Sequence, residues 1–340
     1  MRKLVNKIIF FLNSLFAFAL LLSYLLPYIS PQSFSLLSVL SLAVPLLIIA
    51  NFLFLLYWVV QLNKRFLLSF LILVLGINHI SSLYKISGNS EEDNLDSISL
   101  LSYNVHSFNR FDWINSDSIP QNISNLIREE RPDIFCAQEF YNNPYINFSQ
   151  YPYEYQDFNN DNGELALVIF SKYPIINKGS LRFKKTANNI IFADIKVNKD
   201  TVRVYNVHLQ SHKINPDREV LAKEDSQKLL QRMQVSFKKQ QEQAEMLSAH
   251  MDASPYRNIV MGDFNNSAFS YVYNLIKSKN LRDSFKAAGE GFGKTFEFDL
   301  FPLRIDFILV DKDFEVLNFK TFDEQFSDHY PISSRIRLAQ

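Results

Sequence analysis

Cysteine is almost absent: Cys136 is the single one in 340 residues, so no intrachain disulfide can staple the fold. Its setting, DIFCAQEF, marks it as a small apolar core residue. Acidic residues are missing from the first 84 positions, whose only charges are Arg2, Lys3, Lys7, Lys64 and Arg65. An excess of positive charge is missing as well. The chain balances 35 basic against 35 acidic residues, and beyond position 84 it is 30 against 35, a net charge of about −5. A basic surface is the usual footprint of a nucleic-acid binder, so the balance disfavours a dedicated nuclease without excluding one.

What the first 84 residues do contain is Leu, Ile, Phe and Val, in three apolar runs at about 8–26, 34–60 and 66–84. Each is near the 20 residues a helix needs to span a bilayer, so three transmembrane helices are expected. Pro27 and Pro31 punctuate the first gap, and Asn63, Lys64 and Arg65 the second. A cleaved signal peptide is the alternative for the first run, but two more runs follow and no small-residue cleavage site stands near Pro27. Both basic groups favour the cytoplasm, and the 27–33 gap is uncharged. Three crossings then leave everything past Tyr84 in the periplasm or outside the cell. Asn78 and His79 fall near the end of the third run, at the interface.

Residues 85–96 form a polar, acidic linker, and residues 97–340 a separate domain. Here buried strands keep ending in polar residues. ISLLSYNV (98–105) ends at Asn104, and DIFCAQE (133–139) at Glu139. A hairpin around 198–200 brings His208 to the end of TVRVYNVHL, and NIVMGDFN (258–265) hands over Asp263 and Asn265. LRIDFILV (303–310) carries Asp306 inside an apolar run, where a buried charge needs a partner, and FSDHYPI (326–332) supplies Asp328 and His329. Helices are expected at 119–130, from 229 for about six turns, and at 268–278; 140–162 reads as loop and 210–228 as a charged insertion. A carboxylate that can take a proton from water, beside an amide that can orient an oxyanion, suits hydrolysis of a phosphate ester; Asp263 and Asn265 are such a pair.

The motifs SYNV, AQEF, SKYPI, NVHL, GDFN, RIDFIL and SDHYPI, in this order, resemble the endonuclease/exonuclease/phosphatase family of metal-dependent phosphoesterases across 97–340. The resemblance implies a four-layer α/β sandwich, two packed mixed β-sheets flanked by helices, here preceded by the three membrane helices. It implies Glu139 as the main ligand of Mg²⁺ or Mn²⁺, with Asn104 and Asp328 in or near its shell. Asp263 would orient or deprotonate water, Asn265 and His208 would hold phosphoryl oxygens, with proton donation by His208 open, and His329, positioned by Asp306, would stabilise charge on phosphorus. His106 departs from the family pattern, and the NxHL form at 206–209 leans toward the sphingomyelinase and inositol-phosphatase branches. The expected substrate is a phosphoester, lipid or otherwise membrane-proximal, with nucleic acid less favoured; a catalytically silent scaffold is the reading from another class. Oligomeric state is open.

Overall fold

The structure, a computed structural model, describes residues 2–86, 88, 97–143, 146–158, 164–184, 186–214, 224–298 and 301–338. The expected 85–96 linker therefore lies, apart from 85, 86 and 88, outside the described residues. The apolar segment folds as α1 (Arg2–Ser23), α2 (Pro31–Val39), α3 (Val44–Val60), α4 (Phe66–Leu75) and α5 (Ile77–Leu83). Among the described residues two helices, Arg2–Tyr28 and Pro31–Val60, are long and apolar enough to cross a membrane, and there are up to three if the pair α4 and α5, bent by 78°, is one span. The bend falls at Gly76, where a Cβ would come within 2.0 Å of the Tyr24 hydroxyl. Phe11, Leu15, Phe18, Phe52, Leu56, Phe70 and Leu71 are exposed on the outside of this bundle. Inside it, Asn13 donates to Ser69 Oγ at 2.6 Å and accepts from Trp58 Nε1 at 3.0 Å, polar contacts of the kind that fasten helices in hydrocarbon.

The rest of the chain forms two six-stranded sheets. In chain-order numbering, the first runs β10 (Leu281–Asp283), β12 (Asp306–Asp311), β9 (Arg257–Asp263), β8 (Asp200–His208), β7 (Asn189–Val197), β6 (Ile175–Ser180). The second runs β13 (Phe314–Thr321), β14 (Ile332–Leu338), β2 (Ile98–Asn104), β3 (Ile134–Phe140), β5 (Ala166–Ser171), β4 (Tyr153–Phe158). A small pair, β1 (Tyr84–Lys85) with β11 (Gly291–Phe292), lies apart. Helix α6 (Ile119–Glu130) packs Ile119, Ile123 and Ile127 on the outside of the second sheet with Phe135 and Ala137. On the outside of the first, α7 (Ser226–Asp252) and α8 (Tyr271–Lys277) bury Ala244, Leu247, Val272 and Ile276 against Val207, Val260 and Leu309. The short α9 (Ser284–Ala288) adds Phe285 to the core between the sheets. This is the expected sandwich of two mixed sheets flanked by helices.

Strand alternation explains both the core and the site. Ile98, Leu100, Ile134 and Cys136 of one sheet meet Val202, Val204, Ile259, Met261 and Ile308 of the other. Two residues further along the same faces stand Ser102, Gln138 and Asn206, then Asn104, His208 and Asp263. The layer between the sheets is thus apolar for most of its length and polar at one end. Some boundaries differ from expectation. The helix placed at 268–278 starts at Tyr271, because the Ser270 hydroxyl caps it by accepting from Tyr273 N at 3.1 Å. The strand placed from 303 begins at Asp306, after Thr295 Oγ1 has accepted the backbone N–H of Ile305 and of Asp306. The 140–162 stretch contains β4, and the 210–228 stretch ends in the first turn of α7, capped by Asp225; its residues 215–223 lie outside the described residues.

Candidate active site

Each sheet has one parallel pair at its centre, β2–β3 and β8–β9, whose carboxyl ends carry Asn104, Glu139, His208 and Asp263, and Asp306 opens the antiparallel β12 beside them. On the first sheet they fall into one row: Asp306 is in register with Asp263 across β12–β9, and Asp263 with His208 across β9–β8. Delivering Asp263 requires glycine before it. Gly262 has φ +138°, and a Cβ there would lie 2.0 Å from the Val207 carbonyl oxygen. Past the strand, Asn265 adopts φ 48° and folds back on Asp263, its backbone N–H donating to Oδ1 at 2.7 Å and its Nδ2 to Oδ2 at 3.0 Å. Asn265 Nδ2 also donates to Leu209 O at 3.0 Å, so this amide cages the carboxylate.

His329 lies between two acids. Its Nδ1 is 2.9 Å from Asp306 Oδ2 and its Nε2 is 3.7 Å from Asp263 Oδ2. All three are buried and their ligand atoms lie within 4.8 Å of one another, close enough to hold a metal ion. Because each ring nitrogen already faces one carboxylate, we read the trio as an imidazolium bridge. Burial alone would lower the His329 pKa, but the Asp306 and Asp263 carboxylates carry it well above its usual value. Burial pushes the Asp263 carboxyl up to about 8, opposed by His329 and aided by Asp306 and Glu139. The carboxyl is thereby made more basic than an exposed one.

The second sheet brings Asn104 and Glu139 to the same place. Asn104 Nδ2 lies 3.4 Å from Glu139 Oε1 and 3.3 Å from Asp263 Oδ2, joining the two sheets. His208 Nε2 is 3.7 Å from Glu139 and 3.6 Å from Asp263. Burial lowers the His208 pKa, against the pull of the Glu139 carboxylate, and so favours the uncharged ring. Asp328 stands slightly apart: His106 Nδ1 is 2.7 Å from it, and the Ser327 hydroxyl donates to it at 3.1 Å. Burial would raise the Asp328 pKa, but the hydrogen bond from His106 helps bring it down to about 2; reciprocally, His106 is raised against its own burial. The eight expected residues all converge on this end of the sandwich, with Asn265 and Asp328 turned toward neighbouring side chains.

Residues 101–329 match the model of the endonuclease/exonuclease/phosphatase family, about two thirds of the chain. The chain belongs to this family. Residues 6–83 match a domain of unknown function, DUF8431. The endonuclease/exonuclease/phosphatase protein from Bacteroides vulgatus is similar at 19% identity and TM-score 0.55, over 71% of this chain and 99% of that one. D. rerio TDP2 complexed with a single-strand DNA product is similar at 14% and 0.54, over 71% and 99%. The human Nocturnin catalytic domain with bound sulfate is similar at 16% and 0.52, over 72% and 94%. At these identities the likeness is one of fold. No curated protein gives a significant match.

Members of the endonuclease/exonuclease/phosphatase family generally depend on a divalent metal, and the donor set here fits one. Glu139, Asp263, Asp306 and Asp328 gather at one end of the sandwich, a group of carboxylates that a cation would balance. Oxygen donors of this kind, with Glu139 accessible at the mouth, suit a hard divalent cation. Sequence reasoning missed the layer beneath. Gln138 donates to Asn206 Oδ1 at 2.7 Å and contacts Ser102 Oγ at 3.3 Å, while Asn206 Nδ2 donates to the Ala137 and Val168 carbonyls at 2.8 Å. Polar residues at inward positions of buried strands were its signal. Ser327, whose hydroxyl donates to Asn104 O at 2.9 Å and accepts from His329 N at 3.1 Å, ties the last motif to the first.

Proposed function

We propose that this family member is a membrane-tethered, divalent-metal-dependent hydrolase of phosphate esters, with residues 1–84 as anchor, 85–96 as linker and 97–340 as catalytic domain. The convergence of a buried, high-pKa Asp263 with the Asp306–His329 pair and with Glu139 carries this reading. Asp263 takes a proton from water while the water oxygen bonds to phosphorus. The P–O bond to the leaving alcohol breaks, and that alcohol takes up the proton through Asp263 or solvent. The His329 imidazolium, held by Asp306, offsets charge on the phosphoryl oxygens, and neutral His208 donates a hydrogen bond to one of them. Asn265 fixes Asp263 and adds its amide to that end of the phosphoryl site. Glu139, Asn104 and Asp328 would hold the metal, which when bound supplies Lewis-acid stabilisation of phosphoryl charge.

The tether reading is supported by the positions of the charges. Arg65 Nη1 donates to Asn6 O at 3.0 Å, gathering the basic segments at one end of the helical bundle. The opposite end meets the domain, where Asn274 donates to Pro27 O at 3.1 Å and Arg304 to Ser82 O at 3.2 Å. With the basic end cytoplasmic, the domain faces the periplasm or exterior. A second reading, a nuclease, is favoured by the TDP2 neighbour bound to single-strand DNA and disfavoured by the acidic balance beyond residue 84. Full-length protein in detergent, assayed with Mg²⁺ or Mn²⁺ and then with chelator, tests both. Metal-dependent hydrolysis of a phosphodiester or monoester is expected; turnover of DNA alone would replace the first reading with the second, and silence on every phosphoester would end both.

A further inference from the structure

Beside the catalytic residues lies a cleft of about 310 Å³, and one of its walls does not belong to the catalytic domain. Glu139, Asp263, Asp328 and His329 form its polar end, while Val39 at the end of α2 and Leu42 and Ala43 of the turn that follows line it together with Met233 of α7 and the aromatic Phe296 and Phe298. The turn is fastened where it enters. Ser267 Oγ donates to Ser41 O at 2.9 Å, one residue from Leu42 and two from Asn265. Ser30 Oγ and Gln32 N both donate to Gln241 Oε1 of α7, at 2.8 and 3.0 Å.

Resting on the proposed phosphoester hydrolysis, we infer that the cleft takes the hydrocarbon portion of a bilayer lipid whose phosphoester group lies at Glu139, Asp263 and His329, and that the membrane segment builds part of this lipid site. A small polar ester has no use for a wall of Val, Leu, Met and Phe, since such a wall stabilises only apolar surface withdrawn from water. The wall is continuous with an apolar exterior: Phe34, Leu36 and Leu40 of the same segment are exposed, as are the outward side chains of α1 and α3. A chain leaving the bilayer along this segment reaches the cleft without crossing water. A second groove of about 260 Å³ meets the cleft at Glu139, Ser211 and Lys213, whose ammonium offers a positive charge to the polar head group, and continues over Leu165, Leu167 and Ala187.

The test uses full-length protein reconstituted into vesicles of phosphatidylethanolamine, phosphatidylglycerol, phosphatidylcholine and sphingomyelin, with Mg²⁺ or Mn²⁺. Lipid hydrolysis is read beside hydrolysis of the water-soluble bis(p-nitrophenyl) phosphate. The wild type should cleave at least one lipid, and Leu42→Ser should lower the ratio of lipid to soluble-ester turnover by about tenfold. Met233→Ser, on the domain side of the cleft, should lower the same ratio and serves if the anchor variant does not fold. Cleavage of the soluble ester without any lipid, or an unchanged ratio in both variants, would overturn the lipid site and leave the hydrolase reading standing. Silence on both substrates in the wild type would remove the hydrolase reading and the lipid site with it.

Discussion

The two sheets are built alike, each with a central parallel pair flanked by antiparallel neighbours, yet they deliver their polar residues in different ways. The first sheet does so by register: Asp306, Asp263 and His208 stand side by side on three adjacent strands, each at an inward position of a regular ladder. The second departs from its ladder. Strict alternation would turn Glu139 outward with Phe135 and Ala137, toward α6; a register shift between Ala137 and Phe140, with φ 50° at Glu139, turns it to the site instead. Burial follows the same division. The side chain of Asp263 is 1% exposed and that of Glu139 28%. A buried carboxylate gains basicity from desolvation, whereas an accessible one can exchange water for a cation. One sheet holds the proposed base, and the bulge on the other holds the proposed metal ligand at the mouth.

This division can be broken first at the base. Asp263→Asn keeps the shape and, through its one remaining oxygen, the bond from the Asn265 backbone N–H, but it removes the proton acceptor, so turnover should fall by about a thousandfold or more, with metal binding retained. Unchanged turnover in the metal-loaded enzyme would take Asp263 out of the mechanism. Next comes the backbone that presents it. Gly262→Ala forces a methyl group onto the Val207 carbonyl at a strained φ, and a loss of about 3 kcal/mol is expected in denaturant unfolding, with activity lost in parallel.

On the other sheet the expected effects are smaller and different in kind. Glu139→Gln should weaken Mg²⁺ binding by tenfold or more and let part of the rate recover at high Mg²⁺, measured by metal titration of turnover. A rate loss that no metal concentration restores would place Glu139 with the base. The smallest effect concerns pH on the base side. His212 packs on the Phe237 ring, with Gln240 at 3.4 Å, and Gln240 Nε2 donates to Asn265 O at 3.0 Å. Burial lowers the His212 pKa to about 4. A histidine depressed from its unfolded value of about 6.5 binds its proton more readily when unfolded, so its stabilisation is full above that pH and declines as pH falls toward 4. Melting at pH 7 and pH 5 should differ by about 2 kcal/mol more in the wild type than in His212→Gln.

Much of this was legible beforehand, for identifiable reasons. Runs such as NIVMGD and TVRVYNVH have a two-residue period that assigns Asp263 and His208 to the inward face before any partner strand is known. Asp306 inside an apolar run called for a cation, and His329 is 2.9 Å away. Less was legible where partners are remote. The third apolar run looks continuous in sequence, but bends by 78° at Gly76, where Tyr24 from another helix fills the space a side chain would need. The contacts of the Asn265 amide with Asp263 and Leu209 were not legible either, since they form only when this loop folds back beside a strand end distant in the chain.

The sequence by itself determined which residues end the strands, which faces those residues occupy on regular strands, and that the first 84 residues are apolar enough to enter a membrane, because periodicity and composition are local properties. Only the tertiary structure decided the direction of Glu139, the Ser102–Gln138–Asn206 layer that joins the sheets, and the meeting of Leu42 with the catalytic cleft. Each of these depends on a strand or helix distant in the chain. A bulge exists only relative to its paired strand, a buried amide is satisfied only by the sheet opposite, and a residue of the N-terminal helices becomes part of a cleft only when those helices dock.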